Sequence, residues 1–363
     1  MSEAYEKAGV DYNALDSGKR AAIRAASSTD ELLDLHGGRA FGASRGESAF
    51  VFSAQDRTYG FVLECLGTKS VLARRYQDAS GVNLFRNIGY DAVAAIVNDL
   101  ICVGALPLVV TAYFATGNAS WYADTERFEA LVEGWADACR TSGATWGGGE
   151  SPSLPSLVSA EDIELAGSAM GTISGSPILG DRLSPGDEIV VVPSTGLHAN
   201  GASLVRQVAT DAEDGLLTKL PSGRSLGEAA LDASAIYVGL VRALLEASVP
   251  VSYLSHITGH GLRKVMRPNR DFTYRLTQLP PVPEVLGALV DRLNLDPTEA
   301  YGTFNMGAGF AVYVPAGDGE RAVNLAQEQG FDAILAGVVE EGPRRVILEP
   351  VDVTYASDTL SLR

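Results

Sequence analysis

The sequence predicts an α+β protein built as two domains, 1–175 and 176–363. Three observations carry that expectation. The chain has 363 residues, 46% of them hydrophobic and 20% charged. That length exceeds the roughly 250–300 residues at which single cores stop growing. Strand-like and helix-like runs alternate through both halves. Between the halves lies a junction over 174–184, marked by Pro177 and Gly180 and followed by Pro185-Gly186, after which the pattern restarts.

Taken in order, a polar arm leads to a helical stretch at 17–26 and a glycine-rich segment, 36–43, with three glycines in six residues. Such a segment either folds over a phosphate through its backbone N–H groups or is a flexible surface loop. A hairpin follows, 49–53 and 59–64, turning at Gln55-Asp56-Arg57. Val93, Ile96, Val97, Leu100 and Ile101 give the apolar face of a helix over 90–103, with Gly104 and Pro107 beyond its end. PLVVTAYFA (107–115) is a buried strand. A helix over 122–142 follows, with Ser120 as its expected N-cap and Gly143 at its end. A short strand at 144–146 runs into Gly147-Gly148-Gly149-Glu150, which is either a tight turn or backbone brought up to a ligand. The strand 163–173 closes this half.

The second half opens with a strand at 188–192, a Gly/Ser/Thr/Asn loop and a helix at 202–209, a natural anion-binding corner. A helix over 226–247 comes next, then SHITGHG (255–261) and a short helix at 262–266. Strands at 272–276, 307–314, 334–339 and 346–349 alternate with helices at 282–293 and 321–328, an α/β pattern.

Acidic residues outnumber basic ones, 45 to 28, for a net charge of −17. Nucleic acid is therefore not expected as a partner, because it calls for a basic face. A small anionic ligand remains compatible, since a pocket can be locally basic. Cys65, Cys102 and Cys139 are odd in number and widely spaced, so they read as reduced thiols of a cytoplasmic protein. The charged N-terminus lacks an apolar signal core, and no uncharged run of about 18 apolar residues exists to span a membrane.

The chemistry centres on YGFVLECLGTKS (59–70). An apolar strand delivers Glu64 to a compact turn in which Gly67, Thr68 and Lys69 offer backbone freedom, a hydroxyl and a positive charge. A carboxylate for Mg²⁺ beside a lysine for phosphate suits a nucleoside triphosphate; a strand end with a solvated lysine is the plainer alternative. The order is not that of a Walker A loop, because Lys follows Thr. In the helix after it, Asp91 and the pair Asn98-Asp99 stand two turns apart, roughly 10–12 Å along the axis. Asn98-Asp99 interrupts an apolar run, a position hard to leave merely solvated.

These motifs line up with one family. The chain resembles phosphoribosylformylglycinamidine cyclo-ligase (AIR synthetase) of purine biosynthesis. Tyr5 and Ala8-Gly9-Val10-Asp11 resemble its Y-x-x-A-G-V-D opening. GYDAVAAIVNDL (89–100), YFATG (113–117), GGE (148–150), TGLHANGASLVR (195–206), HITGHG (256–261) and TFNMGAGF (303–310) match further segments in the family's order. The resemblance implies a homodimer with a strand barrel across its interface. It also implies ATP-dependent closure of formylglycinamidine ribonucleotide to aminoimidazole ribonucleotide. On it, Glu64, Asp91, Asp99 and Glu150 would hold Mg²⁺. Gly67, Thr68, Lys69 and Asn98, with Gly148 and Gly149, would meet ATP, and 37–42 would close over it. His198, Asn200 and His256 would line the cleft, with Lys69 and His256 as catalytic groups.

The matches are broken inside the supposed site. The family's D-G-V-G-T-K reads Glu64-Cys65-Leu66-Gly67-Thr68-Lys69, and Ala112 replaces an aspartate. Ser151-Pro152-Ser153-Leu154-Pro155-Ser156 lacks a glutamate, and His260 replaces a glycine. The alternatives are a paralogue using Mg-ATP on another amide or small acid, a kinase-like relative, or a non-catalytic nucleotide-binding module.

Overall fold

The computed structural model describes residues 12–360; the Tyr5 to Asp11 motif lies outside them. The chain runs α1 (Tyr12–Ser27), β1 (Arg39–Ala40), β2 (Phe50–Ala54), β3 (Arg57–Cys65), α2 (Lys69–Ser80), α3 (Phe85–Ile101), β4 (Leu106–Thr116), α4 (Thr125–Ser142), β5 (Thr145–Glu150) and β6 (Ile163–Ile173). It continues through β7 (Glu188–Pro193), α5 (Ala202–Asp211), α6 (Leu226–Ala230), α7 (Val238–Glu246), β8 (Tyr253–His256), β9 (Phe272–Leu276), α8 (Glu284–Leu293) and α9 (Pro297–Thr303). β10 (Ala308–Val314), α10 (Gly319–Glu328), β11 (Ile334–Glu341), β12 (Arg345–Leu348) and β13 (Val353–Ala356) complete it.

The strands form two sheets, one from each half. The first has the order β1-β2-β3-β6-β4-β5 and the second β13-β12-β9-β11-β7-β10-β8. In the first only β4 and β5 run parallel, and in the second only β9 and β12. The expected alternation of helix and strand in the second half is thus present, with mostly antiparallel pairing.

Helix α3 lies under the first sheet, with Val93, Val97, Leu100 and Ile101 fully buried. It crosses α4 so closely that glycine is needed on both sides. A Cβ at Gly89 would sit 2.0 Å from the Leu131 carbonyl oxygen, and one at Gly134 only 1.8 Å from that of Arg86. α4 is capped by Asp124, whose carboxylate accepts the Arg127 N–H at 3.1 Å, and not by Ser120. Ser120 sits in a preceding 3₁₀ turn capped by Asn118.

Three expectations are corrected. The glycine-rich segment at 37–42 packs on the hairpin and does not line the cavity described below: Arg39 pairs with Ser53, and a Cβ at Gly38 would clash at 2.0 Å with the Ser53 carbonyl. The triple glycine is not a turn but edge strand β5, where Gly149 lies against the Ala112 backbone too closely for a side chain, at 2.0 Å from a Cβ. The helix expected over 226–247 is broken between α6 and α7, because the backbone at 231–237 bonds to side chains of the first half.

Candidate functional site

Between the halves lies a cavity of about 790 Å³. Strand β3 ends there with Glu64, and the turn that follows presents Gly67 and Thr68. Gly67 takes φ +68°, a left-handed conformation that glycine adopts without strain. Thr68 caps α2. From the other half, Asn200 and the N-terminus of α5, capped by Gly201, reach the same cavity. Arg206 ties the two helix starts together, donating from Nη1 to the Thr68 carbonyl at 3.0 Å. Two helices of ordinary length thus point their positive ends into one space, a setting that favours anions.

Asp99, His256, His260, Lys264, Arg267 and Glu47 form a charged wall of the cavity. Asp99 meets His256 Nδ1 at 2.6 Å. Burial opposes the Asp99 charge, but the His256 hydrogen bond and the cations Lys264 and Arg267 hold its carboxyl below the usual range. Glu64 is hydrogen-bonded to Asp99; burial first, then the Asp99 charge, push its carboxyl up to about 7. Burial and the nearby Arg267 push the Lys264 ammonium down to about 8. His260 adopts φ +74°, a strained conformation for a residue with a side chain, and it starts the 3₁₀ turn that carries Lys264.

The residues expected from the sequence divide into three groups. Glu64, Gly67, Thr68, Asp99, Asn200 and His256 come together around the cavity. Lys69, Asp91, Asn98 and His198 do not line it. Lys69 and Asp91 are both 0% exposed and form an ion pair with each other. Lys69 Nζ also donates to the Asp232 carbonyl at 3.3 Å, and Asp91 Oδ1 accepts the Ser234 N–H at 2.6 Å. Asn98 spends its amide on the Ala235 carbonyl at 2.8 Å and the Tyr237 N–H at 2.9 Å. His198 Nε2 accepts the Thr195 N–H at 3.1 Å, and burial keeps its imidazole neutral well below the ordinary value. Gly148, Gly149 and Glu150 lie on edge strand β5, outside the cavity. The four-carboxylate metal set is therefore not assembled. Among the described residues no cluster of three or more His, Cys, Asp or Glu side chains is placed to hold a metal alone.

Glu47, Arg206, Lys264 and Arg267 were missed. A signal existed for the last two: charged residues at 264 and 267 interrupt an apolar stretch containing Leu262, Val265 and Met266. That is the same irregularity that draws attention to Asn98-Asp99.

The fold and cleft define a two-domain protein of the AIR synthase type. Residues 46–173 match the AIR synthase related protein N-terminal domain, and residues 184–349 match its C-terminal domain. HypE in the HypE–HypF complex superposes with a TM-score of 0.59 at 17% identity, covering 86% of this chain and 93% of that one. Closer in sequence is the phosphoribosylformylglycinamidine cyclo-ligase of Alkaliphilus oremlandii, 32% identical over 96% of this chain and all of the relative. That of Anaeromyxobacter sp. is 35% identical over 97% of this chain and all of its own length. The chain belongs to the AIR synthase family.

Proposed function

We propose that this chain is an ATP-dependent cyclo-ligase that closes formylglycinamidine ribonucleotide to aminoimidazole ribonucleotide in the cytoplasm. One observation carries the reading: a single cavity unites a pair of carboxylates, two helix N-termini and a carboxylate-bound histidine. The substrate's formamide oxygen takes a phosphoryl group from ATP, an internal nitrogen attacks the activated carbon, and phosphate leaves with that oxygen. The proton shed by the nitrogen needs an acceptor. His256 suits it, because Asp99 holds Nδ1 and leaves Nε2 as the basic nitrogen. Thr68, Gly67, Asn200 and the N-terminus of α5 bind the polyphosphate in this scheme.

Glu64 and Asp99 fit Mg²⁺, which binds one or two carboxylates plus substrate phosphates and keeps its remaining waters. Burial and the Asp99 charge hold the Glu64 carboxyl near 7, so an ion bound between the two would relieve their repulsion and would supply positive charge to the phosphates. Release of phosphate from Mg-ATP that depends on formylglycinamidine ribonucleotide tests the proposal. Nucleotide binding without such release rejects it in favour of another acceptor.

We further infer that the chain works as a homodimer joined through the outer face of the first sheet. Phe50, Phe52 and Tyr59 stack there with centroids 5.9 and 5.5 Å apart. Phe61 and Leu63 beside them are 42% and 68% exposed. Contiguous apolar surface of this kind marks an interaction face. A second copy of the chain is the occupant we propose for it. Light scattering that returns the mass of one chain at micromolar concentration would reject it.

A further inference from the structure

The segment after β8 carries a cation that the scheme above leaves unused. Lys264 is only 8% exposed yet lines the cavity. Its position is fixed from both sides. The Ser255 hydroxyl donates to the Lys264 carbonyl at 2.9 Å. Gly261, which opens the turn, lies so close to the next segment that a Cβ would be 2.1 Å from the Tyr301 carbonyl oxygen. The Lys264 ammonium donates to Thr258 Oγ1 at 3.0 Å. An ammonium has three donors, so two remain for whatever fills the cavity.

The neighbouring acids are already engaged. Asp99 is bound to His256 at 2.6 Å, and Glu47 accepts the Tyr253 hydroxyl at 2.6 Å and faces Arg267 at 3.5 Å. No carboxylate among the described residues forms an ion pair with Lys264. Arg267, the other cation of this wall, adds positive charge to the same space. Glu64 and Asp99 act on Lys264 through space, yet neither takes up its two remaining donors, and a buried cation with donors left over is costly unless a ligand fills them.

We propose that Lys264, with Thr258 beside it, anchors an oxyanion of the acceptor substrate, a phosphate monoester. Both belong to the segment after β8 and not to the N-termini of α2 and α5, though all of them line one cavity. The identity of the acceptor rests on the cyclo-ligase reading; the anchor itself does not. A phosphate monoester suits the site because it offers several oxygens to the two free ammonium donors and to the guanidinium nearby.

The test uses the full chain and its Lys264→Met variant, which keeps length and removes charge. Ribose 5-phosphate and Mg-ATP are titrated separately by calorimetry, with ribose and inorganic phosphate as controls. The wild type is expected to bind ribose 5-phosphate, and Lys264→Met to weaken it at least tenfold while leaving Mg-ATP affinity within twofold. Lys264→Arg should recover part of the loss. In turnover, the KM for the acceptor should rise at least tenfold and that for ATP should not. Inorganic phosphate binding as tightly as ribose 5-phosphate, and equally sensitive to Lys264, would assign the site to free phosphate and overturn the acceptor role. Equal ribose 5-phosphate affinity in the wild type and Lys264→Met, or equal losses for both ligands, also overturns it. Absence of turnover with formylglycinamidine ribonucleotide, with Lys264-dependent ribose 5-phosphate binding intact, rejects the cyclo-ligase reading and supports the anchor.

Discussion

Helix α3 delivers polar side chains to two places, and they behave in opposite ways. Asp91 near its middle and Asn98 near its end are consumed by the protein itself. With Lys69 and Asn87 they clamp the backbone of 231–237, so that each of these four side chains has a partner. One residue further on, Asp99 faces the cavity beside Glu64, in a cluster whose charges are mutually strained. The same residue types therefore join the domains in one place and await a ligand in the other. Internal satisfaction separates structure from chemistry here; residue type does not.

Breaking the clamp should give the largest effect. Asp91→Ala strands the Lys69 ammonium in a dry interior and is expected to cost about 3–5 kcal/mol of stability. Denaturant unfolding reads this directly. Asp91→Leu combined with Lys69→Met should recover most of the loss, and a failure to recover would show that the pair does more than satisfy itself. On the cavity side the order reverses. His256→Gln should leave the unfolding midpoint nearly unchanged yet lower turnover by about 10²–10⁴ fold, the usual worth of a positioned base. Loss of stability equal to that of Asp91→Ala would erase the contrast.

A pH titration sharpens it further. Glu64 holds its proton up to about 7 when folded, against about 4.5 when free. The folded state therefore binds more protons across that window, and metal-free stability should fall as pH rises from about 4.5 to 7. Glu64→Gln should flatten that fall and leave the variant more stable at pH 8, by about 1–2 kcal/mol. Addition of Mg²⁺ should stabilise the wild type and not the variant. The smallest effect concerns backbone strain. His260→Gly relieves the positive φ, so it should raise stability by up to about 1 kcal/mol, read as a small shift in midpoint.

Much of this was legible in the chain itself. Periodicity placed α3, β4 and β6, and the spacing of Asn98-Asp99 flagged an irregular polar pair. Glu64, Gly67 and Thr68 were marked by their position at the end of a strand. What the pattern could not show is which polar groups find internal partners. Lys69 and Asp91 find further partners because the loop at 231–237 abandons helix to lie on them, in contacts between residues 163 and 143 positions apart. For the same reason the helix expected over 226–247 failed: its backbone donors had better partners elsewhere. Glycines 147–149 misled in another way. Gly147 and Gly149 serve the close approach of β5 to β4, and Gly148 the φ of +99° between them.

The clamp also bears on how a ligand gets in. Because adjacent residues of one helix, Asn98 and Asp99, grip the second domain and face the cavity, parting the two halves would break the Asn98 hydrogen bonds. Ala22 and Ile23 of α1 border the same cavity, so the ligand space is framed by the first half's opening helix as well as by the clamped pair of domains.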